Sequence, residues 1–184
     1  MIAYADDMRS LESVAPVAVT QYKPTSVINV VEPYVEVTND GKIELQNVPT
    51  SVYEEYQLDQ LQEHFNRLNA EVDAGNIRIN NDLSIATIGI SPRTVHGTWT
   101  YHWWGYDQYF DNQRAQRFSA NCYSVAAGAT LVTGIGAWFP PVSFVGVAQA
   151  AYWTLVGSRV DYNNLGNGVY IGVTWAAIFN VEPL

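Results

Sequence analysis

The chain has 184 residues, a net charge of −9 and one cysteine, Cys122. Nine Lys and Arg against 18 Asp and Glu leave no cationic surface to neutralise a run of phosphates, which argues against a nucleic-acid partner; a lone cysteine excludes an intrachain disulfide and a cysteine-cluster metal site. Hydrophobic residues at 48% suffice for a real core in one domain or two small ones, while charged residues, at 15%, fall well below the usual quarter.

At the start, Ala3-Tyr4-Ala5-Asp6-Asp7 has the small-x-small shape of a signal-peptidase site, although no apolar run long enough for a signal precedes it. The reading is export, with a signal removed near Ala5 and a secreted, extracellular product. Residues 1–26 read as an extended lead-in, because Val14, Pro16, Val17, Val19 and Pro24 lack helical spacing.

Residues 27–97 form an acidic region, predicted as a β-hairpin followed by an amphipathic helix. Val27-Ile28-Asn29-Val30-Val31 is β-branched, and Tyr34-Val35-Glu36-Val37 alternates apolar with polar. Asp40-Gly41 is a hairpin turn, and Ile43-Glu44-Leu45 the return strand. Ser51 and Glu54 stand in capping-box spacing at the head of a helix. Leu58, Leu61, Phe65, Leu68 and Val72 then recur at steps of three and four, an apolar stripe that Gly75 ends. Ile77-Arg78-Ile79 reads as a short strand and Asn80-Asn81-Asp82 as a turn.

The charge changes near Pro92-Arg93. Residues 1–97 hold 14 acids and 6 bases, residues 98–184 only 4 and 3, so 98–184 is read as a second region. It opens on a predicted strand, Thr98–Trp104, with Trp99, Tyr101 and Trp103 on one face and Trp104 on the other; Trp99, Trp103 and Trp104 are the candidate aromatic surface. Gly105 marks a bulge or a close backbone approach. A second strand covers Gly168–Trp175. Between them, the 41 residues from Phe118 to Ser158 contain no Asp, Glu, Lys or Arg.

Pro140-Pro141 divides that run into two helix-compatible arms, 121–138 and 142–158, hence an αα-hairpin between two antiparallel strands. The fold class is therefore α+β, with a β-α-α-β unit in the second region. Small residues line the arms; Gly128, Gly134, Gly136, Gly146 and Ala150 are the candidates for close helix–helix packing. At ~1.5 Å per residue the arms reach about 27 Å, near the ~30 Å of a hydrocarbon core. Trp138, Phe139 and Phe144 sit at the aromatic tip, and Arg114, Arg117 and Arg159 flank the run where lipid headgroups or water would hold them.

Catalytic signals are weak. The chain has no G-x-S-x-G, P-loop or H-E-x-x-H. His96, His102 and Asp107 match no metal-ligand spacing, and one continuous strand would put His102 and Asp107 on opposite faces. Cys122 opens an apolar helix with no cation nearer than Arg117, so it reads as a small hydrophobe. No cofactor, metal or enzymatic activity is expected.

Trp99-Thr100-Tyr101-His102-Trp103-Trp104-Gly105-Tyr106, the small-residue hairpin and the ending Asn167-Gly168-Val169-Tyr170-Ile171-Gly172-Val173-Thr174-Trp175 resemble a group of small secreted proteins of Bacillus-type Gram-positive bacteria. The group's marks are an HWWG motif and a GNGV-x-I-x-V-x-W ending. The likeness spans roughly residues 50–184. It implies source and export and transfers no catalytic residue. Two function classes follow. One is a membrane-active protein, bacteriocin-like or pore-forming, whose hairpin 118–158 enters or docks on a bilayer. The other is a non-enzymatic structural or assembly protein of the envelope, spore surface or a parasporal particle, with the hairpin as core or subunit interface. The partners expected are lipid or further copies of the chain. A sugar-binding module built on Trp99, Trp103 and Trp104 is a third, weaker reading.

Overall fold

The fold is α+β. The computed structural model describes residues 24–88, 99–128 and 149–184; the lead-in up to residue 23, the predicted break at 92–97 and the hairpin tip lie outside them.

The first described element is a helix, α1 (Pro24–Val31), where a strand is expected from Val27–Val31. Burial overrides β-branched propensity here: Val27 and Val31, four apart, share one helix face and are both fully buried. A 3-10 turn over Glu32–Tyr34 leads to the predicted hairpin, β1 (Val35–Val37) and β2 (Ile43–Leu45), antiparallel with Val37 opposite Ile43. The next helix is broken in two. Short α2 (Thr50–Glu55) begins after Pro49 with no side-chain cap, so the Ser51–Glu54 capping box is not formed. Gln57 turns left-handed (φ 52°), and α3 (Leu58–Asp73) starts beyond it. On α3 the predicted stripe holds: Leu58, Leu61, Phe65 and Leu68 are fully buried and Val72 partly so. Asn69 pins the hairpin to α3, donating to the Ile43 carbonyl (3.0 Å) and accepting from its amide (2.8 Å) as a neighbouring strand would. A second small hairpin, β3 (Ile77–Ile79) with β4 (Ile85–Thr87), follows.

The second region is a four-stranded antiparallel sheet in the order β5-β6-β7-β8. The predicted strand through Trp104 instead folds back on itself. β5 (Thr100–His102) ends at a two-residue turn, Trp103-Trp104, and β6 (Gly105–Phe110) returns beside it with His102 opposite Gly105. Among the described residues, β6 is followed by α4 (Asn112–Ala126), α5 (Gln149–Asn163) and β7 (Val169–Thr174), and it is β6 that pairs with β7. β8 (Phe179–Pro183) completes the sheet.

Pleating sends Tyr106, Gln108 and Phe110 of β6 and Val169, Ile171 and Val173 of β7 to one face, where α4 and α5 cover them. Thr100, His102, Asp107, Tyr109, Tyr170 and Gly172 lie on the other face. The buried residues form two apolar clusters. One is this sheet-and-helix layer; the other gathers α1, the β1–β2 hairpin, α3 and β3 around Trp103 and Trp175. Both indoles come from turns at one end of the sheet, where the Trp175 amide donates to the Trp104 carbonyl (3.2 Å). The proposed boundary near residue 97 is thus bridged by two side chains of the second region buried in the core of the first.

Candidate functional site

The helical pair is the first candidate. Asp111 caps α4, its carboxylate accepting from the Arg114 amide at 2.8 Å. That start is nine residues earlier than expected, so Arg114 and Arg117 lie within α4 rather than ahead of it. Arg114 also places its guanidinium over the Phe110 ring at 5.3 Å. At the other end, α5 runs on through Arg159 to Asn163. The helices are antiparallel: Asn164 reaches Asn112 (2.9 Å) at the sheet end, and the Ser119 hydroxyl donates to the Gly157 carbonyl (3.4 Å) farther along. Ala115, Phe118, Cys122 and Val125 of α4 and Trp153, Val156 and Val160 of α5 are buried against the sheet.

Two of the predicted packing residues do no packing. Gly128 follows the end of α4 with φ +105° and open space where a Cβ would point, which is a helix-terminating role. Ala150 is exposed. The close approach occurs at Gly157, where an added Cβ would lie 3.1 Å from the Tyr123 ring and 3.2 Å from Cys122 Cβ. Gly157→Leu will force the helices apart and lower stability by about 2–3 kcal/mol, read as a fall in the urea midpoint; an unchanged midpoint would remove this contact from the account. Gly134, Gly136, Gly146, Trp138, Phe139 and Phe144 lie outside the described residues.

The pair carries four formal charges, Arg114, Arg117, Arg159 and Asp161, and all sit in the half nearest the sheet termini Phe110 and Val169. The far half carries none. Its solvent side shows Ala127, Gln149, Ala150, Ala151, Thr154 and Leu155. Among the described residues no helix is long and apolar enough to cross a membrane.

The polar face of the sheet holds a second cluster. The β5–β6 turn brings His102 and Asp107 to one face, Nε2 to Oδ2 2.9 Å, overturning the expectation that they diverge. Tyr170 donates to the same Asp107 oxygen at 3.2 Å, its ring lying across Gly172. Partial burial pushes the Asp107 carboxyl up, but hydrogen bonds from His102, Thr100 and Tyr170 outweigh it and hold it below the usual range. Burial, reinforced by Asp107, pushes the Tyr170 phenol up. The His102 ring stacks on Trp104 at 4.6 Å, nearly parallel (7°). Among the described residues no group of three or more His, Cys, Asp or Glu is placed to hold a metal ion. Cys122 is fully buried and its thiol pushed well up by that burial, so it is a packing residue and not a nucleophile.

The aromatic surface read from the sequence is mostly core. Trp99 is 4% exposed and packs edge-on against Phe110; Trp103 is 6% exposed and stacks on Trp175 at 6.2 Å. Only Trp104 is partly open. A platform of three exposed indoles is therefore excluded.

Neither a family model, nor a curated protein, nor a solved structure matches this chain.

A third group, which no motif marks, stands at the junction of the two clusters. His64 of α3 is 1% exposed, and its Nε2 donates to the His102 carbonyl at 2.7 Å. Its ring meets Tyr106 edge-on at 5.0 Å. Beside it, Trp175 Nε1 donates to the Tyr56 carbonyl at 3.0 Å. Burial lowers the His64 imidazole to about 4, the His102 carbonyl opposing and the neighbouring Arg67 adding to the shift. Burial also pushes the Tyr106 phenol up to about 12. The spacing of His64 within the α3 stripe, three after Leu61 and four before Leu68, is the one signal that places it inside.

Proposed function

We propose that the protein is membrane-active and exported, and that it approaches a bilayer with the far end of the helical pair. The separation of charge along the pair supports this reading best: every formal charge lies in the half nearest the sheet. Beyond it, the chain from Phe118 to Ser158 is uncharged and carries Trp138, Phe139 and Phe144. An uncharged, aromatic-bearing stretch of sequence suits the membrane interface, and cations near the sheet end of the pair suit water and headgroups. The likeness of the HWWG and GNGV-x-I-x-V-x-W segments to small secreted proteins is in keeping with export.

The burial of the helix stripe narrows the reading. Phe118, Cys122, Trp153, Val156 and Val160 already form core with the sheet. Inserting the whole of 118–158 would strip that core from the sheet, so docking by the far end is the less costly mode.

The test is release of a trapped dye from vesicles of neutral or anionic lipid, at neutral and mildly acidic pH. Wild-type protein is expected to release dye, and a folded Gly134→Glu variant to release at least tenfold less at equal concentration. Absence of release in every condition, together with a stable oligomer in solution, would overturn the proposal in favour of an assembly protein whose helical pair is a subunit contact.

A further inference from the structure

We infer that the junction between α3 and the β5–β6 turn is an acid-opened latch, with His64 as its titrating group. The imidazole lies inside the seam between two clusters that each have their own core. Its donation to the His102 carbonyl fixes the ring proton on Nε2. Nδ1 is buried and has no hydrogen-bond partner among the described residues. A second proton would therefore go to a buried site that offers it no acceptor, which a closed seam accommodates only at a cost.

The charged side chains around the ring act in one direction, against the His102 carbonyl. From α3 itself, Arg67 repels a charged imidazole, and His102 of β5 does the same when protonated. Tyr106 of β6 and Tyr101 of β5 are held neutral by burial. Charged groups on the other elements packed on α3 are engaged or face solvent. Lys42 pairs with Asp73 at 3.0 Å, Glu44 accepts from Gln46 at 2.6 Å, and Glu54, Glu55 and Arg78 are exposed.

The direction follows from linkage. Between pH about 6.5 and about 4 the open state binds a proton at His64 that the closed state does not. The closed form is fully favoured above that window, loses ground as pH falls through it, and loses no more below it. Asp107, held low, gains its proton only at more acid pH. Within the window, protonation of His64 opposes closure.

Opening this seam uncovers Trp103, Trp175 and the part of the first cluster that they cover, and leaves the sheet-and-helix layer closed. Such a change would give an exported, membrane-active protein a hydrophobic surface on acidification. The latch itself needs no lipid and is tested without it, so its failure and that of the membrane reading are distinguishable.

The experiment is amide hydrogen exchange on the full chain at pH 7.0 and 4.5, corrected for the intrinsic effect of pH. Protection in Leu58–Asp73 and around Trp103 should fall at least tenfold at pH 4.5, while β6, β7 and α4 keep theirs. In His64→Gln, whose amide also donates but does not titrate, the fall should shrink to less than threefold. Should that variant not fold, Arg67→Gln serves. It removes the repulsion on the charged ring and should move the midpoint to lower pH by about half a unit. An undiminished fall in His64→Gln, an unmoved midpoint in Arg67→Gln, simultaneous loss of protection in both clusters, or full protection at pH 4.5 would each overturn the latch.

Discussion

Gly168→Ala is expected to lower the stability of the protein by at least ~3 kcal/mol, enough to leave little folded chain at moderate urea. The residue sits at the entry to β7 with φ +108°, and a Cβ there would lie 2.1 Å from the Phe110 carbonyl oxygen and 3.0 Å from Asp111 Cα. Both neighbours are backbone. They belong to the turn from β6 into the Asp111-capped start of α4, which is also tied to α5 by Asn164. No side chain can swing aside, so the ladder itself has to part. Gly105 repeats the arrangement at the other end of the same strand pair, with φ +143° and a Cβ 2.1 Å from the Val173 oxygen; Gly105→Ala should cost a similar amount. Gly166 is the control. Its φ is +102°, yet a Cβ there meets open space, so Gly166→Ala should cost only about 1 kcal/mol of backbone strain. Urea midpoints compare the three. A Gly168→Ala midpoint as high as that of Gly166→Ala would mean that the backbones at the two ends of the β6–β7 pair are not so close.

That contrast shows what was legible in the residues. Gly105 reads as a close backbone approach because a glycine among aromatic, β-branched neighbours needs a reason to be there, and the reason is the Val173 carbonyl. The α3 stripe is legible because one buried face at helical spacing fixes both the element and its inward side. Trp103-Trp104 is not legible as a turn. Nothing in two bulky indoles signals a reversal; what holds them is tertiary, Trp103 in the far cluster and the Trp104 carbonyl accepting from the Trp175 amide. Missing that turn also hides the His102–Asp107 pair, because the pair exists only across it. The early start of α4 was recoverable. Asp111 stands three before Arg114 as a cap, and Ala115, Phe118, Cys122 and Val125 follow at helical spacing. The absence of charge beyond Phe118 marks where the chain becomes apolar and not where the helix begins. Val27–Val31 fails for a related reason: β-branched composition is a weaker guide than the i, i+4 placement of the two valines that are buried.

Trp175→Ala is expected to cost about 3–5 kcal/mol, the range for emptying the space of a fully buried indole, and the manner of the loss matters more than its size. Trp175 is 2% exposed, stacks on Trp103, and donates from Nε1 to the Tyr56 carbonyl across the seam. It grows from the β7–β8 turn yet has its neighbours among α1, the β1–β2 hairpin and α3. Its removal therefore leaves a cavity in the first region and cuts a tie to the second, while β7 keeps its own ladder to β6 and β8. Trp175→Phe separates the two effects. It fills most of the space but cannot donate to Tyr56, so it should cost about 1–2 kcal/mol. Denaturation followed by hydrogen exchange should show α3 opening earlier in both variants, with β6 and α4 less affected. If α3 and β6 instead lose protection at the same urea concentration in Trp175→Ala, the two clusters fold as one cooperative unit. The junction around Trp175 and His64 would then be interior to a single domain, and acid would unfold the molecule as a whole.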